Sequence, residues 1–260
     1  MTDPSAAAAL LAQVEIRDRS GEDASCVAEN GSFCLNWAID NFDRYLTPLG
    51  EHLILVVVPV VIGLAIAFAM AIGSHRRDWL VPPFIAATGI LYTIPSIAFF
   101  ILLLPITGRG RDTAIIALTA FTIQIIYRNI VTGLGNVPEG AKDAGRGMGM
   151  TQRQLFWRVE LPLAVPEIVA GLRIATVSTV AIATLAVFAG GGGLGTEIVT
   201  QVTFKTNVLI VAFLCIGMAA VFDILLVLAQ AALTPWRSAG PRRTGGGRLR
   251  LLDTFRRTAT

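Results

Sequence analysis

Lys142-Asp-Ala-Gly-Arg-Gly-Met-Gly-Met-Thr151, running on through Gln-Arg-Gln-Leu-Phe-Trp-Arg-Val-Glu-Leu161-Pro162, is the longest polar, charge-mixed segment in the C-terminal two-thirds of the chain. Apolar sequence lies on both sides of it. Between Leu53 and Leu233 the other charges gather in a few short places. The apolar runs between them are about 20 residues long, the length at which an α-helix crosses a hydrocarbon core of roughly 30 Å. Only 15% of the 260 residues are charged and 54% are hydrophobic, whereas soluble domains carry about 25% charged residues. A soluble core cannot use that much continuous apolar length. A transmembrane barrel would alternate apolar and polar residues, and no alternation is present. The fold class is therefore all-α, a polytopic helical membrane protein.

Five spans are predicted, at about Leu53–Ile72 (containing Pro59), Val81–Leu104 (containing Pro95), Thr113–Leu134, Ile168–Ala189 and Val208–Leu233. Residues 1–50 form a polar, acidic N-terminal segment, 51–234 the transmembrane domain with its loop 135–166, and 235–260 a basic tail. Thr47-Pro48-Leu49-Gly50 reads as a turn before the first span. Asn36–Tyr45 is amphipathic, with Trp37 and Tyr45 suited to a membrane interface. The tail is Arg-rich, with Asp253 its sole acid. It lacks the apolar residues for a core and is expected to be disordered, either as a solvated topology signal or in contact with anionic lipids.

Orientation follows from Lys and Arg in the loops. Arg76 and Arg77, the basic residues from Arg128 to Arg173, and the tail fall on one side. The other side keeps Arg17, Arg19, Arg44, Arg109, Arg111 and Lys205, six of the 21. The richer side is cytoplasmic by the positive-inside rule. The N-terminus is then outside, and the C-terminus and the 135–166 loop are inside.

That loop reads as a compact knob. Leu155, Phe156 and Val159 share one face of a short helix. Gly145, Gly147 and Gly149 permit a sharp turn before it. Leu161-Pro162 and Val165-Pro166 redirect the chain into the fourth span.

The segment resembles the EAA loop of ATP-binding-cassette (ABC) importer permeases. The family pattern is Glu-Ala-Ala, three residues, Gly, nine residues, Ile-x-Leu-Pro. Here it is met by Asp143-Ala144-Gly145, Gly149 and Val159-Glu160-Leu161-Pro162 at the same spacing. The chain departs from the pattern at Asp143, Gly145 and Val159. Gly145 in place of Ala weakens a helix by about 1 kcal/mol, so a softer helix is expected. The resemblance implies a type I importer permease fold, with this loop as the coupling helix that docks on an ATPase. It also implies as partners ABC ATPase subunits, a second permease chain (the same or a paralogue), an extracytoplasmic solute-binding protein and the lipid bilayer of a bacterial cytoplasmic membrane. No nucleic acid is implied. The chain itself would bind no cofactor, ATP and Mg residing on the partner ATPase; no GxxxxGK[ST] occurs in it. Thr93-Ile-Pro-Ser-Ile-Ala98, Gly171-Leu-Arg173 and Gly192-Gly-Leu-Gly195 are similar to the subgroup that moves glycine betaine, carnitine, choline and related osmoprotectants. Amino acids are the alternative substrate class.

Other residues stand out individually. Pro95, with Thr93 and Ser96, marks a kink in the second span that either lines a pathway or serves packing. Thr176 and Ser178 are small polar residues of the fourth span, again for packing or pore lining. Gly192 and Gly195 lie in an outer turn, either a hinge or a plain connection. Asp223 is an intramembrane acid and a functional candidate by default. It is expected to hydrogen-bond a threonine of a neighbouring helix or to sit at an interface between two chains. Cys26 and Cys34 enclose a short outer loop and form a candidate disulfide. No Cys/His spacing suits a metal. A membrane scaffold or an embedded enzyme is the remaining class, and an enzyme would need more converging ionisable groups within the spans than Asp223 alone.

Overall fold

A computed structural model of the chain describes residue 30 and residues 33–238. Their regular structure is helical: α1 (Leu35–Asp40), α2 (Leu46–Ser74), α3 (Val81–Thr93), α4 (Ser96–Thr107), α5 (Arg111–Gly135), α6 (Glu139–Gly147), α7 (Gln152–Leu155), α8 (Leu161–Ala183), α9 (Leu194–Thr200), α10 (Lys205–Leu233) and α11 (Pro235–Ser238). A π turn, Phe156–Glu160, joins α7 to α8.

The bundle is built on α5. Helices α2 and α8 make the largest contacts with it, α3 and α4 make smaller ones, and α10 packs on α8. Lipid offers no hydrophobic drive for helices to associate, so they must approach closely enough for van der Waals contact. Gly63 of α2 and Gly171 of α8 allow this. A Cβ at either would run into Thr122 or Asn129 of α5. Polar residues of α5 bond partly across to neighbouring helices, Thr122 to the Pro59 carbonyl and Tyr127 to Ser74 of α2 and Gln124 to Thr88 of α3, and partly on their own helix. Thr119 donates to the Ile115 carbonyl at 2.7 Å, Thr122 to Thr119 at 2.8 Å and Asn129 to Ile125 at 2.8 Å. Around them Leu55, Phe100, Leu118 and Val180 form one core cluster, and Ile126, Tyr127, Ile130 and Ala175 form a second.

Among the described residues four helices are long and apolar enough to cross a membrane, and there are five spans if the α3–α4 pair counts as one. That pair corrects the expected second span. It is two helices meeting at 97° rather than one kinked helix. Pro95 has no N–H to continue α3, and its ring forces Ile94 out of the helical region, to φ −67° and ψ 128°.

Two further boundaries differ from expectation. Thr47–Gly50 is helix, not turn, because Pro48 falls in the first turn of α2, where a missing N–H costs nothing. The segment boundary at residue 50 therefore cuts through α2. The fourth span begins well before Ile168, since Gln152–Ala189 is one continuous helical course.

Tyr45 is likewise not an interfacial residue. It is fully buried, and its hydroxyl donates to Asn207 Oδ1 at 2.5 Å. With Ala38 it packs on Leu194, Ile210 and Val211, so residues 34–45 cap one end of the bundle. Trp37 stacks edge-on against Phe204 there.

Candidate functional site

The polar island folds into a capped two-helix unit at the end of the bundle that also carries the α2–α3 connection. Pro138 starts α6 at φ −59°, with Glu139 in the first turn and Arg146 in the last, as the helix dipole favours. Arg146 pairs with Asp143 at 2.7 Å and Lys142 with Glu139 at 2.8 Å. These i,i+3 pairs are solvated and contribute little.

Helix α6 ends in a Schellman motif. The Met150 N–H donates to the Gly145 carbonyl at 3.2 Å and the Gly149 N–H to Arg146 at 2.9 Å. Gly149 sits at φ +75°, where a side chain is strained. Thr151 then caps α7 with a capping box. Its Oγ1 accepts from the Gln154 N–H at 3.3 Å, and its N–H donates to Gln154 Oε1 at 2.8 Å.

Gly145 is the contact point between the two helices. It is buried, and a Cβ there would lie 2.6 Å from Leu155 Cδ1 and 3.6 Å from Val159 Cγ2. The departure from Ala that suggested a softer helix thus seats α6 directly on the segment leading to α8. Asp143, Ala144 and Met148 remain exposed on the outer face.

Pro162 and Pro166 do not redirect the chain, as the loop reading expected. Both lie inside α8, behind a π turn whose extra residue accommodates the missing N–H and the ring of Pro162. Leu161 and Pro162 are half-buried at the start of α8. Glu160, 6% exposed, pairs with His75 Nε2 at 2.8 Å and ties this course to the end of α2. The Thr151–Gln154 box carries a sequence signature, T-x-x-Q, that the glycine pattern overshadowed. Replacing Thr151 with alanine should destabilise α7 by about 1 kcal/mol. Amide exchange at Gln152–Gln154 should accelerate, and an unchanged rate would remove the cap from the unit's design.

The remaining candidates lie apart from this unit. At the α3–α4 break, Thr93 is exposed and donates to the Ile90 carbonyl at 2.7 Å, satisfying a group left free at the end of α3. Ser96 begins α4 and is half-buried, and Pro95 is exposed. Thr176 is buried, with its hydroxyl closed on the Leu172 carbonyl at 2.7 Å, an arrangement of packing. Ser178 is half-buried. Cys34 is disulfide-bonded; Cys26, its expected partner, lies outside the described residues, as does most of the tail. His52 and His75 sit at opposite ends of α2, and no metal-competent cluster occurs among the described residues.

The glycine turn after α8 is pinned, not loose. The Gly193 N–H donates to Glu51 Oε2 at 2.9 Å, and Arg111 approaches Glu51 Oε1 at 3.4 Å. A Cβ at Gly192 would strike Glu51, and one at Gly195 would strike the Thr184 carbonyl. Glu51 read in sequence as one acid among many, because its partners lie 60 and 142 residues away. Glu51→Ala should raise amide exchange at Gly193 about tenfold, whereas Glu51→Gln, which keeps an acceptor, should raise it less. Equal effects would exclude this bond as the restraint.

Asp223 is corrected too. Its partner within the chain is not a threonine but Arg173. The Nε donates to Oδ1 at 2.7 Å and Nη2 to Oδ2 at 2.9 Å, bidentate across α8 and α10. The topology count places Arg173 with the loop charges, although it already falls inside the expected fourth span, Ile168–Ala189. With α8 beginning at Leu161, Arg173 lies within the helix.

Residues 56–238 match the family described as "Binding-protein-dependent transport system inner membrane component". The chain is 33% identical over 197 residues to the glycine betaine/carnitine/choline transport system permease protein OpuCB of Bacillus subtilis (strain 168), covering 75% of this chain and 91% of that one. It is 33% identical over 209 residues to the osmoprotectant import permease protein OsmW of Salmonella typhimurium, covering 77% and 97%. Among solved structures, it is similar to the inward-facing MetNI methionine ABC transporter (TM-score 0.62, 22% identity, 74% and 94% covered). It is also similar to an amino acid ABC transporter with histidines (TM-score 0.66, 18% identity, 77% and 99% covered). At those identities the structural likeness concerns the fold alone.

Proposed function

This chain belongs to the inner-membrane components of binding-protein-dependent transport systems, and from that membership we propose that it passes osmoprotectants such as glycine betaine, choline or carnitine. It is a multi-pass permease subunit of an ABC importer and not an enzyme. Permeases of this family bind no cofactor themselves and work with ATPase and solute-binding partners. In the reading advanced here, ATP and Mg act on the partner ATPase, two permease chains flank the pathway, the N-terminus is outside and the C-terminus is cytoplasmic.

The observation that carries the substrate class is the likeness of three-quarters of the chain to permeases named for these solutes. The mechanism rests on the unit Glu139–Pro162. Its outer face, Asp143 to Met148, meets the ATPase. Gly145 seats α6 on Leu155 and Val159, and an unbroken helical course carries displacement into α8. Alternating access then moves α8 against α5 and α10, with the α3–α4 break and the pinned turn at Gly192–Gly195 as candidate gates.

The test is uptake in a host stripped of its own osmoprotectant importers and supplied with this permease and its genomic neighbours. Radiolabelled glycine betaine, choline or carnitine should accumulate in an ATP-dependent manner. Accumulation of methionine or histidine in their place would assign the amino-acid class and overturn the reading.

A further inference from the structure

We propose that a cavity beside the His75 end of α2 holds the phosphate headgroup of an anionic membrane lipid. The cavity encloses about 550 Å³ and is lined by Arg76, Arg77, Arg153, His75, Ile72 and Trp157, among others, with no acidic residue in its wall. That volume is within the usual range for a small-molecule site, roughly 300–1,000 Å³. It is separate from the exposed face of α6 and from every pathway candidate.

The three guanidinium groups make no ion pair or hydrogen bond among the described residues. Of the nearby acids, Glu160 is buried and engaged by His75 at 2.8 Å, and Asp78 lines a neighbouring recess and makes no ion pair with these arginines. Positive charge is therefore concentrated in the wall of the cavity, with no acid facing it there. Arginine's planar donor fork suits phosphate oxygens in particular.

The other wall is apolar and open. Ile72 is 44% and Trp157 46% exposed, and the Trp157 ring lies 6.2 Å from Phe68, further along the membrane-spanning part of α2. Trp79, 71% exposed, stands just beyond the arginines. Tryptophans at this level mark the headgroup region. A soluble phosphate has no use for an apolar wall that continues along a spanning helix. An acyl chain laid along Phe68 and Trp157 does, with its headgroup among Arg76, Arg77 and Arg153. An acidic protein surface would meet these charges on a protrusion rather than in a recess.

Native mass spectrometry of the full-length permease, offered phosphatidylglycerol and phosphatidylcholine at equal concentration, tests this. The wild type should retain phosphatidylglycerol preferentially, by about fivefold for each arginine engaged. Arg76→Gln/Arg77→Gln/Arg153→Gln should lose the preference, and the corresponding triple Lys variant should keep most of it. Should the Gln variant fail to insert, the wild-type comparison and the Lys variant still decide. Equal retention of the two lipids by the wild type, or a preference that survives in the Gln variant, overturns the proposal. Displacement of the lipid by millimolar inorganic phosphate would assign the cavity to a free anion. Loss of ATPase co-purification in the Gln variant, with lipid preference intact, would assign it to protein docking. Both outcomes overturn the lipid site.

Discussion

Asp223→Ala and Arg173→Ala should each abolish solute accumulation and sharply reduce the permease inserted in the membrane, while the reversed pair Arg173→Asp/Asp223→Arg should restore much of both. The bidentate geometry, 2.7 and 2.9 Å, satisfies two carboxylate oxygens with two donors of one guanidinium. Among the described residues neither group has another ion-pair partner. Removing one strands the other charge within a spanning helix, where ionised groups are costly. The double variant Arg173→Leu/Asp223→Leu removes both charges and should be better tolerated than either single change, since an orphaned charge is worse than an absent pair. The effect should be large because α10 holds the bundle weakly elsewhere. Only 11% of its apolar window is buried, and its main packing partner among the spans is α8. Quantitative blotting of membranes beside uptake separates loss of insertion from loss of transport. If both single variants insert and transport normally, the pair does not lock α8 to α10.

That pair also shows what could be read in the sequence and what could not. Apolar run length located the spanning segments, though not the 97° break in the second or the early start of the fourth, and loop charge clustered at the end that carries the capped unit. The spacing from Asp143 to Pro162 delimited that unit. These are local properties, fixed by helix length and by residues within a few positions of each other. Pairings across the fold were hidden. Asp223 was visible as an anomaly, but Arg173, 50 residues earlier, was counted among the loop charges although it falls inside the expected fourth span, so the two were not paired. Tyr45 looked interfacial because its partner, Asn207, is 162 residues away. Prolines were ambiguous for a related reason. Pro95 breaks a helix outright, whereas Pro162 is absorbed by a π turn. The difference lies in whether the neighbouring backbone can rearrange, which the proline itself does not encode. Gly145 was read as a loss of propensity, when its position against Leu155 makes it a seat.

Gly149→Pro should abolish co-purification of the ATPase and with it ATP-driven uptake, while leaving the amount of permease in the membrane unchanged. Proline fixes φ near −65°, and Gly149 stands at +75°. The substitution also deletes the N–H that closes on the Arg146 carbonyl. The Schellman turn cannot form, and α6 loses its angle to α7. Sterics are not the cause, since a Cβ at Gly149 would meet nothing within 4 Å. The backbone argument therefore predicts a graded series. Gly149→Ala keeps the N–H and carries only the left-handed strain, about 1–2 kcal/mol. That amounts to a roughly 5- to 30-fold fall in the ratio of closed to open units. Gly149→Asn should lie close to wild type, because asparagine tolerates this region best after glycine. ATPase retention and uptake should follow the order Gly, Asn, Ala, Pro. If alanine and asparagine behave alike, the left-handed turn is not what holds α6. If proline retains the ATPase, docking does not depend on the angle of this helix. The order matters mechanically as well. A push on Asp143–Met148 reaches α8 only if α6 stays seated on Leu155 and Val159. Gly149 is the residue that lets the chain reverse tightly enough for that seat to exist.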